Sequence, residues 1–104
     1  MATLFDMTKT ALQLMTDDAA IAAEINMLIL SGIADLVNTS GVDVGGITSP
    51  DVNVGNLSMQ ETLVAWAVVT YVRCNFGQPD EYDRLKRSYD EQKAMLRTAF
   101  PIGE

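Results

Sequence analysis

Ser58-Met59-Gln60-Glu61-Thr62-Leu63-Val64-Ala65-Trp66-Ala67-Val68-Val69-Thr70-Tyr71-Val72-Arg73-Cys74-Asn75-Phe76-Gly77 is the stretch that decides the fold. It opens on a capping box, in which Ser58 accepts from the backbone N–H of Glu61 and Glu61 reaches back to Ser58. Its apolar residues then run nearly all the way round a helix. A helix of that kind is buried on several sides, so 58–76 is expected to be the central element, with Trp66, Tyr71 and Phe76 in the core. Gly77 stands where a C-terminal glycine cap belongs. Cys74, inside this run, reads as a small buried hydrophobe.

Working downstream, Gln78-Pro79-Asp80-Glu81 starts a further helix over about 79–98. Pro79 fits a first turn, and the acids beside it complement the helix dipole. Leu85, Tyr89 and Leu96 form its core stripe. The short link after Phe76 implies an antiparallel hairpin. Residues 99–104 form a tail in which Phe100 and Ile102 are apolar and Pro101 is stiff. That tail either docks on another protein or folds back on its own core.

Upstream, residues 39–57 carry Gly41, Gly45, Gly46, Gly55 and Pro50 and read as a long loop. Val42-Asp43-Val44 and Val52-Asn53-Val54 alternate and suggest a short hairpin within it. Before the loop, Ile21, Ile25, Leu28, Ile29, Gly32 and Leu36 share one stripe of a helix over 18–38. Gly32 costs about 1 kcal/mol there against Ala, which either close approach of a neighbouring helix or a functional hinge explains. Thr3 caps a first helix over about 3–15, with Leu4, Met7, Ala11, Leu12 and Met15 on one face. The expectation is an all-α class: one four-helix domain over 1–104 with a long loop between the second and third helices.

Composition limits the chemistry. The 104 residues include no His and one Cys, which removes His-based nucleophilic catalysis and a Cys-rich zinc site. The glycines match neither phosphate-binding pattern, and the acids lack the spacing of a calcium loop. No enzyme, cofactor or metal is expected. The most apolar run, Leu63 to Val72, is too short for a membrane span of about 20 residues, and the first residues lack a secretory pattern. No membrane role is expected.

The formal charge is −7 and unevenly placed. Residues 1–61 hold eight acids and one base, while 62–104 hold six of each. Such a balance disfavours duplex binding, which relies on Lys and Arg at phosphates. Arg84, Lys86, Arg87, Lys93 and Arg97 all fall on the last helix. Spacings of four pair Arg84 with Asp80, Arg87 with Asp83 and Lys86 with Asp90. Lys93 and Arg97 have no acid four residues before them, so those two are the better candidates for an intermolecular contact.

Tyr71-Val72-Arg73-Cys74-Asn75-Phe76-Gly77, followed by Arg84-Leu85, Ser88-Tyr89-Asp90, Lys93 and Leu96, resembles the head–tail connector proteins of tailed phages, the adaptor or head-completion proteins often labelled DNA-packaging proteins. The likeness covers about Leu63–Leu96. It implies a virion protein, made in the host bacterial cytoplasm, that assembles into a homo-oligomeric ring of about twelve copies below the portal. The ring extends the DNA channel, lets DNA pass without specific binding, and offers a platform to a head-closure or neck protein at the head–tail junction. On that reading Arg84, Lys86, Arg87, Lys93, Arg97, Phe100 and Ile102 are candidate subunit or portal contacts, and Asp43 and Asp51 face the lumen or a partner. Without the resemblance, the residues read as a small acidic cytosolic helical adaptor or regulator, monomeric or dimeric.

Overall fold

The computed structural model describes residues 2–14, 18–76 and 81–102. Four α-helices follow one another: α1 (Leu4–Ala11), α2 (Ala19–Ala34), α3 (Met59–Asn75) and α4 (Tyr82–Ala99). A π-helical turn, Asp35–Thr39, continues α2. Among the described residues there is no β-strand, only two isolated bridges. The class is all-α, with a long loop between α2 and α3.

The starts of α1, α2 and α3 follow from their capping residues, whereas Glu81 before α4 makes no side-chain cap. Thr3 and Ser58 both close full capping boxes, with Asp6 and Glu61 as their third-position partners. The Asp18 carboxylate accepts from the N–H of Ala20 at 2.8 Å and caps α2. α1 ends earlier than its apolar spacing suggests, because Gln13 takes a left-handed φ of 60°. Met15 lies outside the described residues, as do Gly77, Pro79 and Asp80.

α3 is the hub and packs against α1, α2 and α4. Val64, Ala65, Ala67, Val68, Val69, Thr70, Val72 and Cys74 are all buried along it. Ile25, Ile29 and Leu36 bring one side of α2 into the same core, and Leu85, Tyr89 and Leu96 do so for α4. Gly32 meets the side chain of Tyr71: a Cβ there would lie 3.0 Å from the ring. The absence of a side chain is what lets α2 and α3 approach at this point.

Trp66 is a correction. The expectation from an all-round apolar helix was burial, yet its side chain is 50% exposed. The molecule is a slab of 42 × 32 × 19 Å, about two helix diameters thick. A helix in such a slab retains one outward side even when it is the hub. Tyr71 and Phe76 are half-buried and pack against the core cluster.

The loop also differs from expectation. Its two alternating segments do not pair with each other. Val42 bridges to Pro101, and Asn53 bridges to Thr3. The loop therefore clasps both ends of the chain. Val52 and Pro50 carbonyls accept the N–H groups of Leu4 and Phe5 at 2.8 and 2.9 Å, satisfying donors that a helix start leaves unpaired. The Phe100 carbonyl accepts from Asp43 N–H at 2.8 Å, and the Gly41 carbonyl from Ile102 N–H at 2.9 Å. Val42, Val44 and Ile47 are buried. Their burial against the helices, with Asp43 turned outward between Val42 and Val44, is the force that a self-contained hairpin could not supply.

Candidate functional site

The charged face of α4 divides in two. Arg84 pairs with Glu81, and Lys86 bonds both carboxylate oxygens of Asp90 at 3.0 Å. The Asp90 hydrogen bond raises the Lys86 pKa. These exposed pairs contribute little to stability. Among the described residues, Arg87 and Arg97 are exposed and have no ionic partner.

Lys93, expected as a candidate intermolecular contact because no acid stands four residues before it, has a partner within the chain. Its ammonium lies 3.2 Å from Asp35 Oδ2 and 4.9 Å from the centre of the Tyr89 ring. Asp35 opens the π turn, so its carboxylate leaves α2 towards α4. Sequence spacing along α4 alone could not reveal this partner, which is 58 residues away.

The Tyr89 hydroxyl donates to the same Asp35 oxygen at 2.6 Å. Tyr89 in turn meets Tyr71 edge to face at 5.4 Å. Burial by itself would raise the Asp35 pKa, but the Tyr89 hydroxyl and Lys93 ammonium outweigh it and hold the carboxyl below its usual range. Burial first, then the Asp35 hydrogen bond, pushes the Tyr89 phenol far up. A recess of about 240 Å³ beside this cluster is lined by Tyr71, Cys74, Tyr82 and Lys86 among others. The Asp35 oxygen facing it already accepts two donors, and burial raises the Cys74 thiol pKa. The arrangement ties α2 to α4 rather than presenting a base or a nucleophile.

Glu61 performs a comparable task at the loop. It accepts from Ser58 N–H at 3.2 Å and from Gly46 N–H at 2.7 Å, and these backbone donors lower its pKa. A Cβ at Gly46 would sit 2.8 Å from Glu61 Oε2. Asp43 and Asp51 are exposed on this loop, and the Asp43 carboxylate accepts from Gly45 N–H at 3.0 Å.

Residues 99–102 lie against the helices and the loop. Phe100 packs partly buried against the core cluster, as the folded-back alternative for this segment expects. Ile102, held by its backbone, keeps an exposed side chain.

The sequence model of phage connector proteins matches residues 4–100. The chain belongs to the phage connector protein family. No curated protein and no solved structure matches it. A phage connector protein is a structural component of a phage that meets other virion proteins. Surfaces rather than a catalytic cleft are therefore what a connector is expected to offer.

An exposed apolar face of α2 escaped the spacing pattern read from the sequence. Ala20, Ala23, Met27, Leu30 and Ala34 recur at three and four residues on the side of α2 away from its core stripe, and all five are exposed. Met27 is 69% and Leu30 48% exposed. The helical run Ala19–Thr39 is long and apolar enough to cross a bilayer by length and composition, although Ile25, Ile29, Ile33 and Leu36 pack one side of it as core. This run is longer than the apolar stretch Leu63 to Val72 of α3. Glu24 and Asp35 interrupt it and obscured its length.

Proposed function

We propose that this connector, acting as one helical unit over 1–104, forms a ring below the portal, extends the DNA channel and joins head to tail. The family match across residues 4–100 carries the reading. The chain's charge supports it in two ways. A net charge of −7 disfavours retention of DNA in a channel. The exposed Arg87 and Arg97 of α4 complement the acidic N-terminal half, and such charges set register and partner choice more than raw affinity. Asp43 and Asp51 face the lumen or a neck partner, and Ile102 belongs to the portal-facing end.

The test is a phage carrying a stop codon in this gene. Electron microscopy of the lysate is expected to show heads without tails, with tailed infectious particles restored by the gene in trans. Normal numbers of tailed particles in the absence of the protein would overturn the reading. Cryo-electron microscopy of the vertex should place copies of this four-helix fold between portal and tail.

A further inference from the structure

We infer that the exposed seam of α2, centred on Met27 and Leu30, docks into the groove beside Trp66 of a second copy of this chain, head to tail. The inference rests on the ring reading above and specifies its subunit contact.

The seam has the spacing of a helix-packing surface. Steps of three and four residues from Ala20 to Ala34 average the 3.5 that keeps one stripe facing a partner. Its residues are small except at Met27 and Leu30, so two knobs project from a stripe that otherwise allows close approach.

The groove is a matching receptor. Ala2, Met7, Ala11, Val54 and Trp66, together with Asp6 and Thr10, line a space of about 350 Å³ between α1, α3 and the loop. A dry cavity of about 150 Å³ already admits benzene, so two aliphatic side chains fit. Met59, 79% exposed, stands seven residues before Trp66 and extends the same stripe of α3. Exposed Trp in an apolar recess is the residue type that most often carries interface energy.

The two surfaces point away from each other. Gly32 of α2 and Tyr71 of α3 mark the contact line between these helices. A helix turns about 100° per residue. Met27 therefore lies about 140° round α2 from that line, and Trp66 about 140° round α3 from it. Two different patches on opposite sides make a heterologous contact, which closes into a ring when its rotation permits.

Area argues against the self-paired alternative. α2 is about 24 Å long and 10–12 Å across, so one face covers roughly 250 Å². A stable interface hides about 800 Å² per partner. Packing α2 on α2 leaves most of that area unbuilt. A head-to-tail contact sets the seam against α1, α3 and the loop of the neighbouring copy, so the interface draws on more than one helix from that side.

The experiment uses Met27→Glu/Leu30→Glu and, separately, Trp66→Ala, with Met59→Glu as a second variant of the groove side. Circular dichroism checks that each remains folded, and sedimentation velocity reads assembly. The wild-type chain is expected to assemble in a concentration-dependent way. Each variant alone should weaken assembly about a hundredfold. The decisive arm mixes the seam variant with a groove variant. The intact groove of one and the intact seam of the other should give a 1:1 heterodimer and nothing larger. A seam variant that assembles as well as wild type overturns the contact, as does a mixture without heterodimers. Dimers of Trp66→Ala and Met59→Glu equal to wild type would assign the seam to α2–α2 pairing and overturn it too. Vesicle binding by wild type, lost in the seam variant, would assign the seam to a membrane. A wild-type chain still monomeric at about 1 mM overturns the contact. The ring reading falls with it only if the protein is also absent from purified virions.

Discussion

α2 and α3 are both strongly apolar, and the molecule uses them in opposite ways. Eight of the seventeen residues of α3 are buried, against four of sixteen in α2. α3 is surrounded because three other helices pack on it, leaving the Met59–Trp66 stripe as its outward side. α2 lies at an edge of the slab and turns an apolar seam to the outside. Apolar residues on α3 therefore hold the subunit together, whereas many of those on α2 are available to another molecule. Composition cannot separate the two cases; the number of neighbouring helices does.

This contrast can be broken most directly by a charge at the hub. Val68 is fully buried on α3, so Val68→Asp leaves an unpaired carboxylate in the core. A loss above about 4 kcal/mol is expected, enough to unfold a domain of ordinary stability. Urea denaturation followed by circular dichroism checks it, and a cooperative transition close to that of wild type would deny α3 its central role.

A smaller effect is expected where the two helices meet. Gly32→Val places a branched side chain against the Tyr71 ring and should cost about 1–3 kcal/mol by overpacking. A gain in stability would mean that the α2–α3 contact is looser than the 3.0 Å approach indicates.

The link from α2 to α4 sharpens the comparison through pH. Asp35→Asn removes the charge that Lys93 faces and should cost about 1–2 kcal/mol near neutrality. Because the folded state holds the Asp35 carboxyl below its usual range, that contribution is complete above the unfolded-state pKa of about 3.9. It is lost as pH falls through the lower folded-state value, where the unfolded chain binds more protons. The stability gap between wild type and Asp35→Asn should therefore narrow from pH 6 towards pH 2, and a gap constant across that range would remove Asp35 from the account.

Ser58→Ala should cost about 1 kcal/mol by removing the α3 cap. The smallest effect belongs to the bare seam. Met27→Glu is expected to shift stability by less than about 0.5 kcal/mol, measured on the monomer at low concentration. A large loss would show that the seam is part of the subunit's own core.

How much of this was legible in the sequence varies by element. The capping boxes at Thr3 and Ser58 depend on residues three apart, so both helix starts could be read directly. The core positions of α2 and α4 followed from their stripes, since a stripe needs no knowledge of its partner. Lys93 could not be read, because its partner Asp35 reaches it through a π turn 58 residues away. The clasp formed by the loop was hidden for the same reason. Alternation in Val42–Val44 and Val52–Val54 marks extended backbone, but it does not name which extended segment lies alongside. Trp66 was misplaced because all-round apolarity does not say how many neighbours a helix will have.

The sequence by itself determined the helices, their caps, the position of the long loop and the concentration of negative charge before residue 62. These depend on contacts within a few residues and on composition. Only the tertiary structure decided that the loop holds the segments at Thr3 and Pro101, that Lys93 pairs with Asp35, and that two apolar surfaces face outward on opposite sides. Each of those depends on which segments become neighbours in space, and the packing of three helices around α3 sets that.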